Sequence, residues 1–267
     1  MRAARIGGHV LHYRLDGPWA KEGDGPILVF SNSLGTDLRV WDPLLPHLPP
    51  SWRLLRYDTA GHGLSEHPGP YSIAEHARDL LGLMDRLEIS HAVVVGLSVG
   101  GQIAQFVAAT APERVSALAL CDTAPKIGDA ETWNQRIAGV EAGGIASLAD
   151  AVLQRWFSES YRRNQPEALA LWRSMLLRTP AKSYTALCAA LRDADLTAST
   201  AALKLPTLCV VGSEDLSTPS ASVRSMAESI GGARFSVIEG AGHLPCVEAP
   251  AELAAEIAGF LKENALD

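Results

Sequence analysis

The sequence lacks the features of membrane-spanning, secreted and nucleic-acid-binding proteins. No stretch of its 267 residues approaches the ~18 consecutive apolar residues that a membrane span needs. The N-terminal segment has no continuous apolar core of the kind found in signal peptides, so we expect no cleaved leader. Acidic residues (30) outnumber basic ones (23), and the net charge of −7 argues against a general nucleic-acid surface. We therefore expect neither a membrane nor a nucleic acid as a partner.

Cysteine is scarce, and it forms no metal-binding or redox motif. The four cysteines are far apart in the chain, without a CxxC pair. Cys121 and Cys209 lie in apolar, strand-like runs, where a reduced thiol packs as a small hydrophobic side chain. The chain also has no HExxH motif, no P-loop and no GxGxxG after a strand. These absences predict a cytoplasmic protein that needs neither a metal nor an organic cofactor.

What the chain does contain is a regular alternation of strand-like and helix-like segments. Short, mostly apolar runs predict strands at 26–30, 53–58, 92–97, 116–122, 206–212 and 234–240. Between them, Ser72 and Glu75 form a capping-box pattern before a predicted helix that extends to Leu87, and a last helix is predicted over 251–261. Apolar strands alternating with helices are typical of a mostly parallel central sheet with helices on both faces.

The alternation stops over residues 125–195. This segment has four helix-like stretches and no strand signal, and it holds three of the six tryptophans. Because strands resume at Pro206, we interpret it as an all-helical cap inserted into one α/β core, which consists of 1–124 and 196–267. An insertion after the carboxyl end of a strand lies over the crevice in which open α/β sheets bind ligands.

The segment Gly96-Leu97-Ser98-Val99-Gly100 lies between a predicted strand and a predicted helix. A G-x-S-x-G sequence in this setting is typical of the nucleophile elbow, a turn so tight that the residues two positions from the serine must lack bulk. We predict that Ser98 is a nucleophile. The N–H of Val99, at the start of the helix, is a predicted oxyanion donor because the helix dipole favours an anion there. An ordinary glycine-rich turn is the alternative, which this context disfavours.

The base and the acid should follow the nucleophile in the order Ser, acid, His. His243 comes directly after the last predicted strand, behind Gly240 and Gly242, and is the predicted general base. Among the other histidines, His62 is the only serious competitor, and we assign it a structural role.

The predicted acid is Asp215, which lies just past the strand predicted over 206–212. Two other carboxylates remain open as alternatives. Glu214 is its neighbour in the sequence, and Asp122 lies at the end of an earlier predicted strand, where some hydrolases carry the acid.

A second oxyanion donor should come from the loop after the first predicted strand. Hydrolases of this fold usually carry His-Gly where this chain has Asn32-Ser33. The N–H of Leu34 is therefore the predicted second donor.

Four segments resemble the 3-oxoadipate enol-lactonases, α/β-hydrolases of the β-ketoadipate route of aromatic catabolism. They are SNSLGTDLRVWD (31–42), YDTAGHGLS (57–65), GLSVGG (96–101) and CDTAPKIGDAETWNQRI (121–137). The likeness covers nearly the whole chain. It implies an α/β-hydrolase fold with a helical cap, a triad of Ser98, Asp215 and His243, and an oxyanion hole formed by Leu34 and Val99. It implies no cofactor.

The chain departs from the usual pattern of these enzymes at two positions. Val99 stands where methionine is usual, and the chemistry is retained because this residue contributes only its N–H. Ala60 stands where arginine is usual, which removes a cation near the pocket and affects which substrate is preferred.

The resemblance also implies a small anionic lactone as the substrate, so the cap should offer it a cation. Lys126 and Arg136 flank Trp133 in the segment where the chain leaves the sheet above Ser98. These three cap residues, with Ser33, are the predicted substrate-binding residues. Other chemistries on the same triad remain alternatives: hydrolysis of another small ester, carbon–carbon bond hydrolysis or peroxide-dependent chemistry. A ligand sensor that retains a hydrolase pocket is a further one.

Overall fold

The structure, a computed structural model, describes residues 1–19 and 25–267. Its strands are β1 (Arg2–Ile6), β2 (His9–Asp16), β3 (Ile27–Ser31), β4 (Arg53–Tyr57), β5 (Ala92–Leu97), β6 (Val115–Cys121), β7 (Thr207–Gly212) and β8 (Arg234–Ile238). They form one sheet in the order β1-β2-β4-β3-β5-β6-β7-β8. The pairs β1–β2 and β2–β4 are antiparallel, and the remaining neighbours are parallel.

The helices alternate with these strands. They are α1 (Ile73–Arg86), α2 (Val99–Thr110), α3 (Ala130–Gly143), α4 (Ala149–Trp156), α5 (Glu159–Asn164), α6 (Pro166–Arg178), α7 (Ala181–Asp193), α8 (Thr197–Ala201), α9 (Ser220–Ser229), α10 (Pro245–Glu248) and α11 (Pro250–Glu263). Within the described ranges, none of them is long and apolar enough to cross a membrane.

The predicted mostly parallel sheet is confirmed. All six predicted strands are present, and every residue of β5 and of β7 is buried. Because successive side chains of a strand point to opposite faces, complete burial requires that helices cover both faces.

The sequence analysis missed β1 and β2, which form the antiparallel edge of the sheet. In β2, the buried residues His9, Leu11 and Tyr13 alternate with half-buried ones, because this strand, next to the edge strand β1, contacts the core on one face only. A period of two was therefore the signal that could have found it, whereas the other strands were found as continuous apolar runs.

The predicted start of α1 is also confirmed. The hydroxyl of Ser72 accepts the N–H of Glu75, and the Glu75 carboxylate accepts the N–H of Ser72. This reciprocal pair satisfies two N–H groups that the first helical turn leaves without partners.

The segment between β6 and β7 is helical throughout its regular structure, and it comprises α3 to α8. Within it, α3 packs against α7 and α4 packs against α6. On this basis we propose to treat 125–195 as a cap, and 1–124 with 196–267 as the core.

The strand order places a crevice between β3 and β5. From β3 the chain continues to β4 on one side, and the later strands add on the other side. Ligands of open α/β sheets bind at such a reversal, outside the carboxyl ends of the strands. Ser31 and Gly96 are paired at these ends. The loop after β3 and the turn after β5 therefore face each other across the crevice.

Candidate active site

Ser98 occupies the turn between β5 and α2 in a strained backbone conformation. Its φ of 57° and ψ of −119° lie in a region that residues other than glycine rarely adopt. A Cβ on Gly100 would lie 2.1 Å from the carbonyl oxygen of Ser31, and one on Gly96 would lie 2.5 Å from that of Gly100. The two glycines are therefore required for this turn, as the G-x-S-x-G pattern predicts.

His243 and Asp215 form a buried hydrogen-bonded pair at the same edge of the sheet. His243 follows β8 and Asp215 follows β7, and 2.9 Å separate the imidazole Nδ1 from the carboxylate Oδ2. The hydroxyl of Thr218 also donates to Oδ2, at 2.5 Å, and the N–H groups of Ser217 and Thr218 donate to Oδ1. These donors hold the carboxylate in one orientation toward the imidazole.

The Asp215 carboxylate is ionised in this environment. Burial raises its pKa, but the neighbouring His243 and the donors from Thr218 and Ser217 outweigh burial, and the pKa lies below its usual value. The imidazole thus has an anionic partner on its Nδ1 side, which favours the tautomer that leaves Nε2 free to accept a proton.

Neither of the two alternative acids, Glu214 and Asp122, is hydrogen-bonded to His243 among the described residues. Glu214 is exposed, so its side chain points away from the site. Asp122 is fully buried and close to the pair, but its Oδ1 accepts the N–H of Gly212 rather than that of the imidazole.

His62 is fully buried and does not face the site. Burial lowers its pKa to about 4, so the imidazole is neutral near pH 7. Its Nδ1 lies 3.5 Å from the carbonyl of Ala60. Its Nε2 is buried without a hydrogen-bond partner among the described residues, and the structural role of His62 stays a prediction.

Ser98 and His243 line one small cavity of about 70 Å³ together with Ser33, Leu34, Trp133 and Arg136. The volume is well below the ~300–1,000 Å³ of pockets for drug-sized ligands, which favours a small substrate. Larger clefts of about 440–860 Å³ occur elsewhere on the described surface and contain none of the residues Ser98, Asp215 and His243.

The N–H groups of Leu34 and Val99 are available to a ligand. Among the hydrogen bonds of the described residues, neither group is a donor. Val99 is the first residue of α2, where helix N–H groups have no partner within the helix. Leu34 lies opposite, in the loop after β3.

Asn32 anchors this loop from inside the protein. Its Nδ2 donates to the carbonyl of Tyr57 at 2.7 Å, and its Oδ1 accepts the indole N–H of Trp41 at 2.8 Å. The loop is closed by Thr36, whose hydroxyl and N–H both donate to the carbonyl of Ser33. The residue that replaces the usual histidine thus holds the loop after β3 against β4.

Asn32→Ala should destabilise the protein by about 2–6 kcal/mol. The substitution leaves the Tyr57 carbonyl and the Trp41 indole buried without partners, and each unsatisfied group costs roughly 1–3 kcal/mol. Urea denaturation would measure the free energy of unfolding. Asn164→Ala, at an exposed asparagine of α5, is the matched control and should change it by less than about 0.5 kcal/mol. Equal effects of the two variants would contradict the anchoring role.

The cap contributes an aromatic and cationic wall to the cavity. The Arg136 guanidinium lies 5.0 Å from the centroid of the Trp133 ring, and the Trp133 indole donates to the carbonyl of Ile127 at 2.6 Å. Tyr184 of α7 also lines the cavity, and burial raises its pKa to about 12, so that it is a neutral phenol.

Lys126 requires a correction, because the described lining of the cavity does not include it. Its side chain is 54% exposed, and its ammonium lies 3.3 Å from the Asp195 carboxylate. The side chain extends toward solvent, although Trp133 and Arg136, a few residues later, turn back over Ser98.

Arg155 and Tyr184 are among the cavity residues that were not predicted. They lie on α4 and α7, far from each other and from Trp133 in the sequence. Arg155 also donates to the carbonyl of Leu216 at 3.3 Å, in the loop that carries Asp215. Only the packing of separate cap helices brings these residues together, and no local pattern in the sequence marks them.

Comparison with known proteins agrees with this geometry. The alpha/beta hydrolase fold family matches residues 26–250. The chain is 34% identical to 3-oxoadipate enol-lactonase 2 of Acinetobacter baylyi over 86% of each chain. It is 33% identical to 3-oxoadipate enol-lactonase 1 of the same organism over 96% of this chain and 94% of that one. The crystal structure of the enol-lactonase from Burkholderia xenovorans superposes with a TM-score of 0.94 at 40% identity, covering 98% of this chain and all of that one.

Proposed function

The chain is a hydrolase that belongs to the alpha/beta hydrolase family and, within it, to the group of the enol-lactonases, and from this premise we propose that it opens 3-oxoadipate enol-lactone to 3-oxoadipate. The observation that carries the proposal is a small cavity that the cations Arg136 and Arg155 line together with Ser98 and His243. A small lactone with a free carboxylate has the charge and the electrophilic carbonyl that the lining of this cavity suits.

The first half of the proposed reaction acylates the enzyme. His243 takes the proton of the Ser98 hydroxyl while the oxygen attacks the lactone carbonyl. The ionised Asp215 holds the imidazole in the required tautomer and stabilises the imidazolium. The N–H groups of Leu34 and Val99 bind the oxyanion. Collapse of the tetrahedral intermediate breaks the ring C–O bond, and the leaving enolate receives the proton from His243.

The second half releases the product. The enol formed by ring opening tautomerises to a ketone, so re-closure of the ring is disfavoured. His243 deprotonates a water molecule, which attacks the acyl-enzyme, and the proton then returns to Ser98. The product is a dicarboxylate with an internal ketone. Ser98, His243 and Leu34 line the cavity, Val99 follows Ser98 at the start of α2, and Asp215 orients His243.

Turnover of the enol-lactone by the purified protein is the direct test. Saturable ring opening, with 3-oxoadipate identified by mass spectrometry, is expected. Hydrolysis of p-nitrophenyl acetate without any turnover of the lactone would show that the protein is an ester hydrolase, but it would reject the lactone as its substrate. Binding of the lactone without turnover would instead favour the ligand sensor.

Arg136 is the residue that we propose to bind the substrate carboxylate. Arg136→Met should lower kcat/KM for the anionic lactone by roughly 10- to 150-fold, because a charge-assisted hydrogen bond contributes about 1.5–3 kcal/mol. Steady-state kinetics on the lactone and on neutral p-nitrophenyl acetate would measure the difference. The neutral ester should be little affected, since the triad is unchanged.

Lys126→Met is the matched control for this experiment. Lys126 is a cation of the same cap segment, but its ammonium is paired with Asp195 outside the cavity. The kcat/KM of the Lys126→Met variant should therefore remain near the wild-type value for both substrates. If Arg136→Met affected the two substrates equally, Arg136 would be structural and carboxylate recognition would lie elsewhere.

We further propose that the enzyme acts in the cytoplasm, in the β-ketoadipate route of aromatic catabolism. The location is supported by the cysteines, all four of which are free and buried, as is usual in a reducing compartment. The route is supported by the names of the two Acinetobacter baylyi relatives.

A further inference from the structure

Asp122 is a second buried carboxyl group beside the triad, and the proposed mechanism does not use it. It follows β6, is 0% exposed and has a φ of 46°, in the left-handed region. Its N–H donates to the carbonyl of Val210 and its Oδ1 accepts the N–H of Gly212, each at 2.9 Å. Asp122 thus joins the end of β6 to the end of β7, three residues before Asp215.

The second oxygen of Asp122 has no donor. Its Oδ2 is buried and lacks a hydrogen-bond partner among the described residues. One atom each of Asp122, Asp215 and His243 lie within 4.8 Å of one another. Two carboxylates at this separation, away from water, cannot both ionise without a large penalty. The donors are unequally shared: Asp215 accepts from four groups, and Asp122 accepts only from Gly212.

The surroundings of Asp122 also disfavour a negative charge on it. The titratable groups facing it are Asp215, His243, Glu248 and the thiols of Cys121 and Cys246. Two of these are carboxyls, and the described salt bridges include none to Asp122. Burial first, and then the charge of Asp215, raise the pKa of Asp122 well above its usual value.

We propose that Asp122 is a positioning residue that keeps its proton during catalysis and donates it from Oδ2 toward the Asp215 carboxylate. Its two oxygens then act in opposite ways. Oδ1 accepts from Gly212 and holds the strand end that leads to Asp215, while the protonated Oδ2 supports the carboxylate itself. Asp215 remains the single charged carboxylate beside His243. This inference rests on the proposed triad but not on the identity of the substrate.

Asp122→Asn and Asp122→Ala test the proposal together. Asparagine reproduces a protonated acid, because its carbonyl can accept from Gly212 and its amide can donate toward Asp215. Alanine removes both contacts. On p-nitrophenyl acetate we expect kcat/KM to fall by at least about tenfold in Asp122→Ala, and to be rescued to within roughly threefold of wild type in Asp122→Asn. Unchanged activity of a folded Asp122→Ala would overturn the positioning role.

The protonation state has a separate readout in the pH dependence of stability. Because the pKa of Asp122 is raised in the folded state, folding retains a proton that the unfolded chain releases above about pH 4. The wild type therefore loses stability relative to Asp122→Asn as pH rises from there. The ratio of their folding constants should grow in favour of Asp122→Asn by up to about tenfold per pH unit, measured by denaturation between about pH 5 and about pH 8.

An ionised Asp122 would give the opposite results. The ratio of folding constants would be flat across this range. The acidic limb of kcat/KM would move to lower pH in Asp122→Asn, since an anion next to the general base would have been removed. Either result would overturn the proposal. The stability measurement needs no substrate, and the kinetic test uses a neutral ester. A failure of the lactone assignment would therefore leave both measurements interpretable.

Discussion

Ser98→Ala is expected to lower kcat by a factor on the order of 10⁶, leaving only background hydrolysis. In the proposed mechanism the oxygen of the Ser98 hydroxyl forms the acyl-enzyme, and no other group has this role in that covalent step. The fold should be unaffected, because alanine fits the same turn and Ser98 donates no side-chain hydrogen bond in the described structure. Initial rates on both the lactone and p-nitrophenyl acetate would measure the loss.

Labelling with a serine-directed phosphonate gives the matching positive result. Mass spectrometry of the wild type should find one adduct, on Ser98, and the variant should remain unlabelled. Ser222→Ala, at an exposed serine of α9, is the control for the substitution itself and should behave as wild type. An adduct on any other residue would contradict the assignment of the nucleophile.

Asp215→Asn should produce the second largest loss, of up to roughly 10⁴ in kcat. An amide at this position can present its NH₂ group to Nδ1 of His243, which stabilises the tautomer with the proton on Nε2. That tautomer cannot take the proton of Ser98. The loss is expected on both substrates, because Asp215 acts through the imidazole and does not line the cavity.

Two matched carboxylates serve as controls. Glu214→Gln changes the exposed neighbour of Asp215 and should have almost no effect on kcat. Asp122→Asn changes the buried alternative and should cost far less than Asp215→Asn. If Asp122→Asn caused the greater loss, the orienting acid would be Asp122 and not Asp215.

Local chemistry accounts for the parts of the site that could be predicted from the sequence. The turn at Ser98 needs small residues at 96 and 100 because backbone atoms lie where their side chains would be. At Gly96 the clashing atom belongs to Gly100, within the same turn, and that requirement can be predicted from the sequence. At Gly100 the clashing atom belongs to Ser31 of the neighbouring strand β3, so only the fold shows its cause. The capping box of Ser72 and Glu75 is equally local. The parallel strands could be predicted from the sequence because burial on both faces produces continuous apolar runs.

The choice between carboxylates could not be made from the sequence. Asp122 and Asp215 both follow parallel strands, so both are expected at the same edge of the sheet. What distinguishes them is the set of donors around each one. Asp215 is held by Ser217, Thr218 and His243, whereas one oxygen of Asp122 has no donor. Such a set is assembled from several loops, and no segment of the sequence contains it.

The cap, too, has features that the sequence shows and features that only the structure shows. Its helices are visible in the sequence, because apolar residues repeat at helical intervals. The side of the cap that faces the cavity is not visible in the sequence, because it depends on how the helices pack on one another and on the core. By itself the sequence determined the strand–turn–helix around Ser98 and the parallel sheet, since the tight turn and the burial of the strands dictate them. Only the tertiary structure decided that Lys126 points to solvent and that Asp215 bonds to His243. It also decided which residues of the cap share one cavity, namely Arg136, Arg155 and Tyr184. Each of these contacts joins segments that are distant in the chain.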